Sequence, residues 1–185
     1  FQSNHRVKDQ GVLQEIMWMI NEKQNLVARA WYQHANRQIP PTSTQTTSKA
    51  AQQDDNFRAS LHWNFKGDNV RWQVKTALLD ETIDYQDSLI FLFTHNRFQT
   101  WLAEVESAFR LTPGIDFTGG LYTERVEAKS DNYLSNRIRH QHAAFISLRE
   151  SRPSWLYRLQ VREEYTDGSW SPLLMDFSAE WSGLK

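Results

Sequence analysis

The chain has 185 residues, no Cys, and a formal net charge of −1 from 21 Lys+Arg against 22 Asp+Glu. Such a balance supplies no bulk attraction to nucleic acid. The missing Cys exclude a disulfide scaffold and thiolate chemistry while leaving the compartment open. No stretch approaches the roughly 18 apolar residues that a membrane-spanning helix needs, a test that barrels escape because half of every barrel strand is polar.

Phe1–Gln10 carries no signal-peptide pattern and the chain does not start with Met, so the sequence reads as a piece of a longer polypeptide. Val12–Ile20 is apolar on both faces and Leu26–Gln33 mixes small and large residues; both are assigned as strands from their context. The segment from Pro40 to Gln53 is polar and low in complexity, and between two strands it reads as a long outer loop.

Phe57–Lys66 is the clearest element. Phe57, Ala59, Leu61, Trp63 and Phe65 share one face, against Arg58, Ser60, His62, Asn64 and Lys66 on the other. Strands send successive side chains to opposite faces, so this is a long amphipathic strand, and crossing a bilayer takes about 9–11 residues. Lys66-Gly67-Asp68-Asn69 reads as a tight turn that Gly and Asn permit. It leads into Val70, Trp72, Val74, Thr76 and Leu78 on one face.

The stretch Asp80–Phe98 reads as a longer outer connection containing an anomalous apolar run, Ser88–Phe93, expected to extend a strand above the membrane, with a patch for a surface partner or a ligand wall as the alternatives. Trp101–Arg110 alternates again, Pro113-Gly114 has the order of a type II turn, and Ile115–Glu124 follows. Val126–Leu134 is a third long connection. Ser135–Arg149 is a blurred strand, because His140 and His142 fall with Ile138, Ala144, Ile146 and Leu148. Trp155–Arg162 and Leu173–Trp181 are strands, joined through Asp167-Gly168, a two-residue hairpin signal. Short and long connections thus alternate, as on the two rims of an outer-membrane barrel, except that the last outer connection, Thr166–Ser169, is short. The expected fold is all-β: an antiparallel up-and-down transmembrane β-barrel segment of about nine long strands. An odd count leaves unpaired edges that are costly in hydrocarbon, so the piece is not expected to fold alone.

Three motifs carry a family resemblance: Ala30–Pro41, Phe109–Gly120, and Leu148-Arg149-Glu150 with Arg162–Leu173. In this order they resemble the barrel of TonB-dependent outer-membrane receptors, with the nearest likeness to cobalamin-receptor-like members of Bacteroidetes type. The resemblance implies that residues 1–185 are part of a barrel of about 22 strands. The plug domain and the remaining strands would lie elsewhere. It also implies active import, across the bacterial outer membrane, of a scarce ligand such as cobalamin or another corrinoid. The implied partners are outer-membrane lipid, the TonB complex acting through the plug, a ligand-capturing surface lipoprotein and the transported small molecule. A passive porin-like or structural barrel, or a soluble all-β ligand-binding domain, would share much of the patterning.

No catalytic residues are identified: G-x-S-x-G, H-E-x-x-H and phosphate-binding glycine loops are missing from the sequence. Glu104 and Glu106 share a face, read as a hydrated wall balanced by Arg58, Arg71, Lys75 and Arg110 rather than as an acid/base pair. His140 and His142 are read as structural or lumen-facing, with no metal and no cofactor expected. Trp18, Trp63, Trp72, Trp101, Trp155 and Trp181 are read as an interfacial aromatic girdle. Tyr85, Arg97, Tyr133 and Trp170, all near outer connections, are the candidates for ligand or partner contact, because rings offer area and Arg a fork of donors.

Overall fold

The computed structural model describes residues 4–44 and 46–183. Gln45, inside the predicted outer loop, and the chain ends, including the reading at Phe1, lie outside the described residues. One antiparallel sheet contains every strand among the described residues. These are β1 (Val7–Asn21), β2 (Gln24–Gln38), β3 (Ala50–Lys66), β4 (Val70–Asp87), β5 (Leu92–Thr112), β6 (Ile115–Ser130), β7 (Arg137–Ser151), β8 (Trp155–Thr166), β9 (Ser169–Trp170) and β10 (Leu174–Trp181). Each pairs with the next in sequence, except that β9 and β10 both pair with β8 as one interrupted strand. This is the up-and-down order expected, with nine strand positions, and the sheet is unclosed between β1 and β10.

Nothing among the described residues covers the apolar face. Leu61 is 42% exposed, Trp101 47%, Leu121 60% and Phe177 67%; among the described residues only Val27, Ala35, Ala50 and Ala143 are buried hydrophobics. A water-soluble sandwich would bury these side chains against a second layer. The single layer therefore separates a greasy surface from a wet one without making a core.

Cross-strand register reveals the geometry of the greasy surface. The row Tyr32–Phe57–Asp80–Gln99–Glu127 turns from aromatic to charged in crossing from β3 to β4. Lower down, the row Trp63–Val74–Val105–Leu121–Ala144 stays apolar as far as β7, before meeting Glu163 on β8. From Phe57 on β3 to Val161 on β8 the upper edge of the apolar band drops by four rows, two residues each, over five strand steps. At about 3.4 Å per residue and about 4.8 Å between strands, this is roughly 27 Å against roughly 24 Å, a slope near 45°. Hydrogen-bonded rows run perpendicular to the strands, so a level band implies strands tilted by this angle, close to the roughly 35–45° of membrane barrels.

The long outer connections are shorter than the sequence suggests. β2 runs to Gln38 and β3 starts at Ala50, leaving residues 39–49; β4 and β5 continue to Asp87 and from Leu92, so Asp80–Phe98 is mostly hairpin; and β6 continues to Ser130. The reason is that above the band both faces meet water. Alternation fades there, while backbone hydrogen bonding carries the ladder on. Leu92 and Phe93 belong to β5, as a strand extension would have it, but Ser88–Phe91 form the turn itself. Phe91 takes a φ of 53° and is 87% exposed.

The turns obey their residues in two cases and not in a third. Asp167 and Gly168 have φ of 47° and 92°, both positive as a type I′ turn requires, and Gly114 has φ of 91° after Pro113. Gly67 has no positive φ. A Cβ there would sit 3.1 Å from the Val70 side chain and 3.2 Å from Phe65, so close approach is what it supplies.

Candidate functional site

The polar face is a wall of ion pairs, most of them cross-strand and one, Arg162–Glu164, within β8. Register places Lys75 opposite Glu104, and their side chains meet at 2.8 Å. Arg58 reaches Glu81 at 2.6 Å, Arg139 reaches Glu124 at 2.9 Å, and Arg162 reaches Glu164 at 2.6 Å. Tyr122 donates to Glu124 at 2.6 Å. Arg29 pairs with Glu15, and Arg37 with the buried Asp54. Of the four cations expected to balance Glu104 and Glu106, Lys75 holds Glu104, Arg58 holds Glu81 and Arg110 contacts Asp116 at 3.3 Å; Arg71 has no carboxylate within 4.0 Å among the described residues.

Above the apolar band, the other face becomes polar as well. Asp55 accepts from Tyr32 at 2.8 Å and from Gln53 at 2.9 Å, and lies 2.8 Å from His34 Nδ1. The Gln53 amide first, then His34, holds the Asp55 carboxyl below its ordinary pKa. Arg97 forks onto both oxygens of Asp80 at 2.8 and 2.5 Å, and His95 lies 2.5 Å from Asp84. Asn4 donates to the carbonyls of Ile39 and Ala50, both at 2.8 Å, tying the base of the 39–49 connection.

The four candidate contact residues are not gathered into one site. Tyr85 on β4 lies opposite Gln52 and Thr94 on the polar-face parity and borders a cavity of about 310 Å³ beside Asp84, Phe93, His95 and Asp131. Arg97 stands on the apolar-face side just above the band, occupied by Asp80. Tyr133 is half exposed in the connection between β6 and β7. Trp170 is 70% exposed, with its ring 5.0 Å from that of Tyr165 on the apolar-face side. Sequence reasoning missed the Tyr32–Asp55–His34 network, in which Asp55 lies 21 and 23 residues from His34 and Tyr32 and meets them only through the β2–β3 register.

His140 and His142 share the apolar-face parity at its upper end. The His142 ring lies 2.9 Å from the Thr123 hydroxyl and stacks on Tyr165. The six Trp of the expected girdle all fall on the apolar face. Trp63 stacks with Phe65, Trp72 meets Phe109 edge-on, and Trp155 stacks with Tyr157 along the lower edge, whereas Trp101 marks the upper edge on β5.

No protein-family model matches this chain, and no curated protein matches it in sequence. Solved structures do match. The siderophore receptor PirA from Pseudomonas aeruginosa superimposes with a TM-score of 0.77 at 11% identity, covering 96% of this chain and 31% of that one. The siderophore receptor PiuA from Acinetobacter baumannii gives 0.66 at 9% identity, covering 96% and 39%. The chain thus spans 31% to 39% of the length of these receptors. Its fold is that of an arc of the antiparallel up-and-down β-barrel that such receptors carry.

Proposed function

We propose that residues 1–185 form part of the barrel domain of a TonB-dependent receptor in the bacterial outer membrane, importing a scarce ligand with energy delivered through a plug domain encoded elsewhere in the polypeptide. The observation that carries this reading is the oblique apolar band. A level greasy belt on strands tilted by roughly 45° has a use only when lipid surrounds it. Opposite the belt, ion pairs and hydrogen bonds fill the polar wall, as a hydrated interior demands. The strands also continue well past the band, which gives an external rim where a ligand or a surface lipoprotein can be met.

The transported molecule is proposed as cobalamin or another corrinoid, on the sequence resemblance. The structural neighbours, both named as siderophore receptors, favour a siderophore as the second reading. Tyr85 on the interior parity and Tyr133 in an outer connection are the residues proposed to meet ligand or lipoprotein. Arg97 and Trp170, on the outer side at the upper edge of the band, suit lipid headgroups or a partner on the cell surface. Uptake of labelled cyanocobalamin and of a labelled ferric siderophore, in cells carrying the full-length chain with and without TonB, tests the proposal. TonB-dependent accumulation of either is expected. Passive, TonB-independent permeation would identify a porin-like barrel instead, and recovery of the chain in the soluble fraction would remove the membrane assignment.

A further inference from the structure

The polar wall changes character at its lower end, beside the short turns. Two adjacent rows there hold Lys66, Arg71, Arg110, Arg149 and Arg158, all exposed, around a cavity of about 590 Å³. The carboxylates around them are Asp116, 3.3 Å from Arg110, Glu106 in the row above, Asp68, which lines the same cavity and pairs with Lys23 at 3.2 Å, and Asp176, opposite Gln160 on β10. Lys66, Arg71, Arg149 and Arg158 have no carboxylate within 4.0 Å among the described residues, whereas higher on the same face Lys75, Arg58, Arg139 and Arg162 are each paired.

Register makes the contrast sharper. Lys66 stands directly opposite Arg71, and Arg149 directly opposite Arg158. Like charges in facing positions destabilise a sheet, so the fold by itself gains nothing from this arrangement. The strip runs from β3 to β8, five strand steps or roughly 24 Å, which is the length of about seven residues of extended polypeptide at about 3.3 Å each. A single small anion would touch one end of it. A chain with several carboxylates would touch all of it.

From this geometry we propose that the lower strip is the seat of an extended acidic polypeptide segment, lying across the strands inside the barrel mouth and neutralising Lys66, Arg71, Arg149 and Arg158. The placement inside the mouth rests on the barrel reading above; the charge match does not. The neutral floor residues Thr118 and Ser147, which line the same cavity, provide probe positions that leave every cation in place.

The test replaces Ser147 by the photo-crosslinker p-benzoylphenylalanine in the full-length chain, purified in micelles, and sequences the crosslinked peptides by mass spectrometry. The expected product joins Ser147's position to a segment with at least two carboxylates within about seven residues. Adding Arg149→Glu and Arg158→Glu is expected to lower its yield by about tenfold, in keeping with the loss of paired charges. An unchanged yield in the doubly reversed chain, a crosslinked segment without carboxylates, or no peptide crosslink would each overturn the proposal. Equal suppression by inorganic tripolyphosphate and by a hepta-glutamate peptide would overturn it too, by showing a general anion site. Heat-modifiable migration of the same samples reports barrel integrity separately, so failure of the barrel reading is distinguishable from failure of the strip.

Discussion

The strands of this protein pass through two regions that share one ladder and differ in everything else. Within the band, residues such as Leu61, Val74, Val105 and Leu121 occupy one face, with His62, Lys75, Glu104 and Tyr122 on the other. Above it, β3, β4 and β5 keep their register to Ala50, Asp87 and Leu92 while both faces turn polar, with Asp55, His34, Arg97 and Asp80 where Phe, Trp and Leu stood below. The comparison separates two causes that are easily confused. Backbone hydrogen bonding sets how far a strand runs, and the surrounding solvent sets which side chains it carries.

The sharpest way to break this comparison is to put a charge on the same face of the same strand in each region. Val105→Arg, at mid-band on β5, is expected to cost about 2–4 kcal/mol of folding free energy in lipid vesicles. Gln99→Arg, six residues up the same face and beyond the band edge at Trp101, is expected to cost under about 0.5 kcal/mol. Equal effects in a denaturant-refolding assay would remove lipid as the reason for the band.

A steric pair within the band comes next. A Cβ at Gly120 would meet the Phe145 ring at 2.5 Å and the Val105 carbonyl at 2.9 Å, whereas at neighbouring Gly119 the nearest atom is 3.6 Å away. Gly120→Ala should destabilise by about 1–3 kcal/mol through overpacking. Gly119→Ala should be close to neutral in the same refolding assay.

Above the band, Asp55→Asn should remove about 0.5–1.5 kcal/mol at neutral pH, since Tyr32, His34 and Gln53 all bond its carboxylate. The carboxyl pKa is depressed in the folded state. Its contribution is therefore fully present above the unfolded carboxylate range, near about pH 4, and is lost as pH falls through the lower folded value. Denaturation midpoints of wild type and D55N should differ at pH 7 and converge in stronger acid. A gap that persists in acid would show that ionisation is not what Asp55 contributes. The smallest effect is expected at the short turns, where Lys23 and Asp68 pair at 3.2 Å with Asp68 89% exposed. Asp68→Ala should shift the same midpoint by less than about 0.5 kcal/mol.

The sequence by itself determined the strand faces, because a strand with unlike surroundings on its two sides carries a period-two record, plain over Phe57–Lys66 and Trp101–Arg110. It also determined the tight turn at Asp167-Gly168, where only residues tolerant of positive φ suffice. What the tertiary structure decided are the properties that depend on register. The drop of the band across β3 to β8, the extension of β4 and β5 into water, the outward placement of Arg97 and Trp170, and the gathering of Lys66, Arg71, Arg149 and Arg158 into one strip all require knowing which residue faces which across a hydrogen-bonded pair. Alternation tells the side of a strand that a residue occupies but not its height against the neighbouring strand, and that height decides whether a side chain falls within the apolar band, in the polar region above it or beside another charge.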